Sequence, residues 1–124
     1  MTMKLLLPVA GIVLIAPLVV ANAAPPAPNG ATLFKQRCSV CHSVKAGGPS
    51  ALGPNLSGVS GRKAGSTKFA YTPALKAAKI NWTAENLDKY VAGPSKFVPG
   101  TRMVISVTDP AQRAAIVAYL GTVR

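Results

Sequence analysis

Cys38-Ser39-Val40-Cys41-His42 is the stretch that decides how this chain is built, because it holds both cysteines and the only histidine. Two thiols separated by two residues and followed by a histidine form the attachment pattern of a c-type haem. Each thiol adds across one vinyl group of the same porphyrin, and the histidine then binds the iron from one side. The pentad therefore predicts one haem c held by two thioethers, with His42 as an axial ligand.

Two other uses of Cys38 and Cys41 explain the sequence less well. A disulfide between them would close a very small loop and add little stability. A dithiol redox centre would be expected within a thioredoxin-like pattern of strands and helices, which this chain lacks. Neither alternative gives a role to His42, so haem attachment is the preferred interpretation.

The N-terminus has the pattern of a secretory signal peptide. Lys4 supplies a positive charge, Leu5–Val20 is an apolar run of 16 residues, and Ala21-Asn22-Ala23 is an A-x-A cleavage site. A membrane-spanning helix needs about 20 apolar residues, and this shorter run also contains two prolines. We therefore expect residues 1–23 to direct export to the periplasm and to be cleaved after Ala23. An uncleaved membrane anchor is the alternative.

The rest of the chain has the length of one domain and the pattern of an all-α protein. Residues 24–29 are a proline-rich lead-in, and residues 30–124 form the predicted domain. We find no convincing strand and predict four helices: from about Ala31 to Val40 behind a cap at Asn29, from Pro73 to about Lys76, from a cap at Thr83, and from the capping box Asp109-Pro110-Ala111-Gln112. Two glycine- and proline-rich stretches are predicted to be irregular: Gly47–Gly65 and Gly93–Val107.

Met103 is the first candidate for the second axial ligand of the iron. Met1 and Met3 would leave with the signal peptide, so Met103 is the only methionine of the exported chain. It follows the turn-forming residues Pro99-Gly100-Thr101-Arg102, which could hold its thioether towards a haem. Lysine coordination and an open sixth position are alternatives that the residues leave open. A methionine ligand would fill the last position on the iron, which favours electron transfer over oxygen activation.

The exported chain is strongly basic. Without Lys4, 13 lysines and arginines face only Glu85, Asp88 and Asp109, which gives a net charge of +10. Such a charge favours electrostatic steering towards acidic proteins or anionic membrane surfaces. Nucleic acid is not expected as a partner, because export would separate the chain from it and no binding motif is present.

Beyond the pentad, an ordered set of residues resembles the small class I c-type cytochromes, of the mitochondrial cytochrome c and bacterial cytochrome c2 type. The resemblance covers Gly30 to Leu120, and its motifs follow one another along the chain: Gly30 and Phe34, the pentad, Gly53-Pro54-Asn55-Leu56, Gly61-Arg62-Lys63, Tyr71, Trp82, Tyr90, Pro99–Met103, and Ile116 with Tyr119. It implies the small cytochrome c fold, with about four helices wrapped around one covalently attached haem. It also implies His/Met axial ligation and a monohaem carrier of single electrons.

The resemblance assigns roles to residues around the haem. The Pro54 carbonyl would accept a hydrogen bond from His42 Nδ1 and so orient the ring. The Tyr90 hydroxyl would bond the Met103 sulfur. Three further residues would donate to a haem propionate, whose burial requires such partners: Arg62, Tyr71 and Trp82.

The resemblance also implies how the helices cross and where one residue departs from the family. Gly30 would let the N-terminal and C-terminal helices cross closely, with Phe34 packed against Ile116 and Tyr119. Leu75 stands where the mitochondrial type usually has a polar residue near the haem, so the hydrogen bonding there is expected to differ.

A docking face around the exposed haem edge is a further implication of the resemblance. Its partners would be acidic faces of redox proteins or membrane electron-transfer complexes, bound transiently by a monomer. Four basic residues would form this face: Arg37, Lys45, Lys96 and Arg102.

Two other functions compete with an electron carrier. A haem domain of a peroxidase-like or dehydrogenase enzyme would need an open iron position and a distal acid or base. The only acids lie at predicted helix starts, where capping and the helix dipole explain them. A gas sensor would have to release Met103 to bind a small molecule. We therefore expect an electron carrier and not an enzyme.

Overall fold

Five helices and the loops between them build the domain. The computed structural model describes Met1, Gly11 and residues 13–124. The helices within these residues are α1 (Gly30–Arg37), α2 (Pro73–Ala77), α3 (Ala84–Ala92), α4 (Pro94–Phe97) and α5 (Pro110–Leu120). The described part of the chain contains no strand, and an isolated antiparallel bridge joins Lys63 to Asn81. The all-α fold class predicted from the sequence is confirmed.

The short helix α4 corrects the prediction that the whole of Gly93–Val107 is irregular. Pro94 occupies the first helical position, where its fixed φ suits a helix and its missing N–H costs nothing. The turn closes when the Val98 N–H donates to the Pro94 carbonyl at 2.8 Å. One helical turn therefore precedes the turn that leads to Met103.

Helix α1 is shorter than the sequence predicts, because it ends at Arg37 and not at Val40. The pentad continues as a tight turn in which the N–H groups of Cys41 and His42 both donate to the Cys38 carbonyl, at 3.1 and 2.9 Å. Cys41 and His42 therefore lie together in a turn just beyond the end of the helix.

Side-chain caps start four of the helices, and three of these caps are predicted from the sequence: Asn29, Thr83 and Asp109. Each cap accepts a hydrogen bond from a backbone N–H three residues further on, at 2.9 to 3.3 Å: Asn29, Thr72, Thr83 and Asp109. The capping box of α5 is only half formed. Asp109 accepts from the Gln112 N–H, but Gln112 Oε1 is buried without a hydrogen-bond partner in the described residues.

Helix α5 packs against both α1 and α3, and the crossing with α1 depends on Gly30. A Cβ on Gly30 would lie 2.0 Å from the Ala115 carbonyl oxygen and 2.9 Å from the Tyr119 Cβ. Next to this contact, the Phe34 and Tyr119 rings lie 5.6 Å apart, and Ile116 is 1% exposed. The close crossing and the packing of Phe34 are therefore as expected from the sequence.

The chain before α1 contributes no packed element in its described part. Residues 13–29 form no helix and are exposed. Residues 2–10 and 12 of the predicted signal peptide, with Lys4, lie outside the described residues. No helix in the described part of the chain is long and apolar enough to span a membrane.

Replacing Gly30 with alanine is expected to destabilise the holoprotein, although alanine has the higher helix propensity. Overpacking a tight contact typically costs about 1–3 kcal/mol, and here the clash is with backbone atoms that cannot move aside. Urea unfolding followed by far-UV circular dichroism measures the change.

Gly93→Ala is the matched control, because the nearest atom to its added Cβ is 3.4 Å away and its φ of −169° suits any residue. Equal stability of the two variants would contradict the close crossing.

Candidate haem site

A cavity of about 250 Å³ lies where the end of α1 meets the loop before α2, helices α2 and α3, and the segment after α4. Its walls are largely apolar. The cysteines and His42 of the pentad line it, as do Gly53 and Pro54, and so do residues of two later segments: Phe69, Tyr71, Thr72 and Leu75, and residues 101–105. The fold thus brings distant parts of the sequence to one apolar space.

His42 is held by one hydrogen bond, between Nδ1 and the Pro54 carbonyl oxygen at 2.8 Å. A carbonyl can only accept, so Nδ1 carries the proton and the lone pair of Nε2 is available to a metal. Burial lowers the pKa of His42, and the bond to Pro54 partly opposes this shift. The lowered pKa favours the neutral ring, which is the form that binds iron.

Gly53 forms a cradle for the His42 ring. A Cβ at this position would lie 2.4 Å from Cε1 and 2.7 Å from Nδ1 of the ring. The Gly53 N–H also donates to the Cys41 carbonyl at 2.9 Å, so the loop folds back onto the pentad. Only a residue without a side chain lets the ring lie here while Pro54 accepts its proton.

Cys38 and Cys41 are free thiols, partly buried, and both line the cavity. Burial raises the pKa of the Cys38 thiol, with a smaller opposing effect from Arg37. The two thiols are separated by two residues and line the same cavity, as two thioether bonds to a single porphyrin require.

Met103 is partly buried and lines the same cavity as the pentad. The turn before it is closed by a hydrogen bond from the Thr101 N–H to the Val98 carbonyl at 3.1 Å. No lysine of the described residues lines the cavity. Of the donors that the sequence leaves open, the thioether is the one that this fold brings to the site.

The Tyr90 hydroxyl has a partner other than the one expected. Tyr90 lines the cavity, but its hydroxyl forms a 2.6 Å hydrogen bond with Thr101 Oγ1 and not with the Met103 sulfur. Burial raises the pKa of Tyr90, and the bond to Thr101 partly opposes this. Leu75, which lines the same cavity, offers no polar group. The hydroxyls of Tyr90 and Thr101 therefore hydrogen-bond to each other.

The three predicted propionate donors do not all reach the cavity. Tyr71 lines it, with its hydroxyl 2.6 Å from Thr67 Oγ1. Arg62 instead lines an adjacent polar cleft, where its guanidinium donates to the carbonyls of Ser57 and Asn55 at 2.9 and 3.1 Å. Phe69 borders both spaces, so the cavity and the cleft are neighbours.

Trp82 is set back from the cavity. It is buried, and its ring packs on Tyr90 with centroids 4.9 Å apart. Its indole N–H makes no hydrogen bond to the described residues, which leaves this donor available. In the structure Trp82 therefore supports the wall residue Tyr90 and does not line the cavity itself.

The four predicted docking residues are all exposed, but only two of them lie at the cavity. Arg37 and Arg102 line its opening, and the Arg102 guanidinium also donates to the Ala70 carbonyl. Lys45 and Lys96 lie on neighbouring segments and do not line it.

Several wall residues were not singled out from the sequence. Phe69 packs edge-on against Tyr71 at 5.2 Å, and Leu52 and Val104 line the cavity although they are 79% and 87% exposed. Each lies within two residues of a predicted site residue. An apolar side chain so close to a predicted site residue is the sequence feature that could have indicated them.

The residues present fit a covalently bound haem. Two free thiols and a neutral imidazole with a free Nε2 face one apolar cavity, and Gly53 leaves space for the ring that Pro54 orients. A methionine thioether lines the same space. Fold and site together define a small helical haem protein of the c type.

Known proteins agree with this class. A family model described as Cytochrome c matches residues 27–124. The cytochrome c of Theileria annulata is 44% identical over 93 residues, which cover 74% of this chain and 81% of the relative. That of Kluyveromyces lactis is 42% identical over 94 residues, covering 74% and 86%. The solved structure of cytochrome cH from Methylobacterium extorquens is 38% identical with a TM-score of 0.69, covering 75% of this chain and 94% of that chain.

The chain belongs to the cytochrome c family. Members of this family bind one covalently attached haem c and carry electrons, and they are not enzymes. The fold, the cofactor and the carrier role expected from the sequence are therefore confirmed.

Replacing Gly53 with alanine is expected to weaken the bond between His42 Nδ1 and Pro54, because the new Cβ would overlap the ring. The Nδ1 proton should then exchange with solvent at least about tenfold faster, which proton NMR of the reduced holoprotein measures. Gly93→Ala again serves as the control. An unchanged exchange rate in Gly53→Ala would show that the ring does not need this space.

Proposed function

We propose that this chain is an exported, periplasmic, monohaem cytochrome whose iron is bound by His42 and Met103. It carries single electrons between redox partners by outer-sphere transfer at the haem edge. The observation that supports this most is that Met103, Cys38, Cys41 and His42 all line one apolar cavity.

The axial ligands determine which chemistry the site allows. Bound haem supplies a one-electron couple between Fe(III) and Fe(II). A thioether ligand raises the reduction potential relative to a second histidine, because soft sulfur favours Fe(II). His42 and Met103 would both hold the iron, so no position would remain for a small substrate.

The other wall residues keep the site dry and rigid. Leu75 and Tyr90 are buried, and Phe69 and Tyr71 are partly buried. A dry, fixed environment keeps the solvent from reorganising around a change of charge, which suits rapid electron exchange. Arg62 in the adjacent cleft and the free Trp82 N–H are the donors that would serve the propionate end.

A basic docking face would recruit acidic partners. Arg37, Lys45, Lys96 and Arg102 are exposed. The acids are all engaged elsewhere: Glu85 bonds Lys89, Asp88 bonds Arg113, and Asp109 caps α5. We expect the monomer to bind acidic redox proteins or membrane complexes transiently, and charge attraction would raise the association rate. Export to the periplasm would also separate the chain from nucleic acid, which argues against a nucleic-acid partner.

Export is supported by the arrangement of the N-terminus. The family match begins at residue 27, after the predicted cleavage site that follows Ala23. The proline-rich lead-in, residues 24–29, is exposed and belongs to no helix. Residues 30–124 would then be the functional domain of the mature protein.

Met103→Ala tests the axial ligand. The oxidised holoprotein is expected to show a weak absorption band at the red end of the spectrum, which is typical of iron–thioether bonding. The variant should lose this band while the haem stays attached, and its reduced form should bind carbon monoxide at neutral pH. Val104→Ala, beside it in the same segment, is the control and should keep the band. Carbon monoxide binding by the reduced wild type would contradict His/Met ligation.

Arg37→Gln tests the docking face. Oxidation of the reduced protein by ferricyanide, an anion, should slow as ionic strength rises, and the variant should react roughly twofold more slowly at low salt. Lys35→Gln removes one charge from the same helix without touching the cavity, so it should change the rate less. Stopped-flow absorbance gives both rates. Equal slowing in the two variants would show that only net charge matters.

A further inference from the structure

The segment that carries Met103 is fixed at its two ends and by one side chain, Arg102, whose guanidinium donates to the Ala70 carbonyl. Backbone N–H groups of residues 102–106 donate no hydrogen bond within the described part of the chain. Val104 is 87% exposed and Ile105 46% exposed. Segments with unpaired backbone and little burial open at low free energy unless their ends are held. The position of Met103 therefore depends on the anchors at residues 101, 102 and 107.

The N-terminal anchor uses neutral partners. The Thr101 N–H donates to the Val98 carbonyl at 3.1 Å, and its hydroxyl bonds the Tyr90 hydroxyl at 2.6 Å. Thr101, Arg102 and Tyr90 line the haem cavity itself, so this end of the segment is part of the site already described.

The C-terminal anchor is Val107, which is held from two helices. Its N–H donates to the Val91 carbonyl of α3 at 2.9 Å, and its carbonyl accepts from Arg113 Nη1 of α5 at 3.0 Å. The same Nη1 donates to the Thr108 carbonyl at 2.8 Å. The Val107 side chain is 2% exposed. Arg113 therefore holds two consecutive carbonyls where the segment ends.

Asp88 of α3 fixes the arginine that makes these bonds. Arg113 Nε donates to Asp88 Oδ1 at 2.9 Å, and the two side chains are 14% and 42% exposed. A charge-assisted bond in a partly buried position is stronger than an exposed ion pair. Lysine could not replace Arg113, because one ammonium cannot reproduce the planar fork that serves three acceptors in fixed directions.

The other ion pair of α3 provides a contrast. Glu85 and Lys89 are 74% and 53% exposed and bond only each other, one helical turn apart. In the described residues, neither side chain forms a hydrogen bond or ion pair with the segment from Met103 to Val107. Removing Glu85 therefore changes the charge of the same helix without changing the anchor.

We propose that Arg113, held by Asp88, is the positioning residue that fixes the C-terminal end of the Met103 segment and so keeps the thioether at the iron. The inference rests on the proposed ligation by Met103. Both residues act at a distance, since neither lines the cavity.

Amide hydrogen exchange in the holoprotein measures the anchor directly. The Val107 amide should exchange about tenfold faster in Asp88→Asn and in Arg113→Gln than in the wild type, because its segment opens without the helices unfolding. The Val117 amide, inside α5, serves as the internal reference and should change less. Glu85→Gln should leave the ratio of the two rates unchanged. Equal acceleration of both amides would reduce Arg113 to a general stabiliser and overturn the proposal.

Loss of the iron–thioether band tests the consequence for the ligand. On titration with urea, the band should disappear before the far-UV circular dichroism of the helices in Asp88→Asn and Arg113→Gln. The gap between the two midpoints should be wider than in the wild type and in Glu85→Gln. Arg113→Lys should lie between the wild type and Arg113→Gln, since it keeps the charge but loses the fork. Midpoints that move together would refute the positioning role.

The two hypotheses fail in different ways. If the band is absent from the wild type, or persists in Met103→Ala, the ligand assignment is wrong and the positioning role falls with it. If the band behaves as expected but the anchor variants match Glu85→Gln, only the positioning role is wrong.

Discussion

The hydrogen bond from His42 Nδ1 to the Pro54 carbonyl is the constraint on which the site depends. It assigns the proton to one nitrogen, leaves the other free, and fixes the plane of the ring relative to the pentad. Because Gly53 lies against that ring and also bonds the Cys41 carbonyl, the loop and the pentad form one unit. A histidine free to rotate would still follow the cysteines, but its lone pair would have no fixed direction.

The rest of the fold serves to keep this unit opposite a ligand from a distant part of the sequence. Helices α1 and α5 cross at Gly30, and α3 packs on α5, so three helices form a frame around the core. The loops that contribute residues to the cavity wall are attached to that frame. Much of the structure is irregular, and a prosthetic group that fills the centre gives these loops something to pack against, which small domains otherwise lack.

Local sequence patterns predicted what local chemistry determines. The caps at Asn29, Thr83 and Asp109 and the proline that opens α2 depend on neighbours a few residues away, so their helices could be placed. The motif set also led to His42, Pro54 and Met103, because family members share these spacings. Helix α4 was missed, since a single turn leaves almost no periodic signal.

Side-chain partners across the fold could not be predicted in the same way. The Tyr90 hydroxyl bonds Thr101, and Arg62 bonds two loop carbonyls, because the nearest acceptor in three dimensions decides such pairs. The bond between Asp88 and Arg113 joins residues 25 positions apart, and nothing in the sequence around either of them signals it. Spacing along the chain predicts which groups are present but not which of them meet.

The single histidine has a consequence for the surface as well as for the metal. Once its Nε2 lone pair is bound to iron it can take up no further proton, and no other side-chain type in this chain ordinarily changes its charge between about pH 5 and 8 once both thiols form thioethers. The positive field of the protein is therefore nearly constant across that range. A carrier of this kind would attract acidic partners equally whether its surroundings are mildly acidic or mildly alkaline.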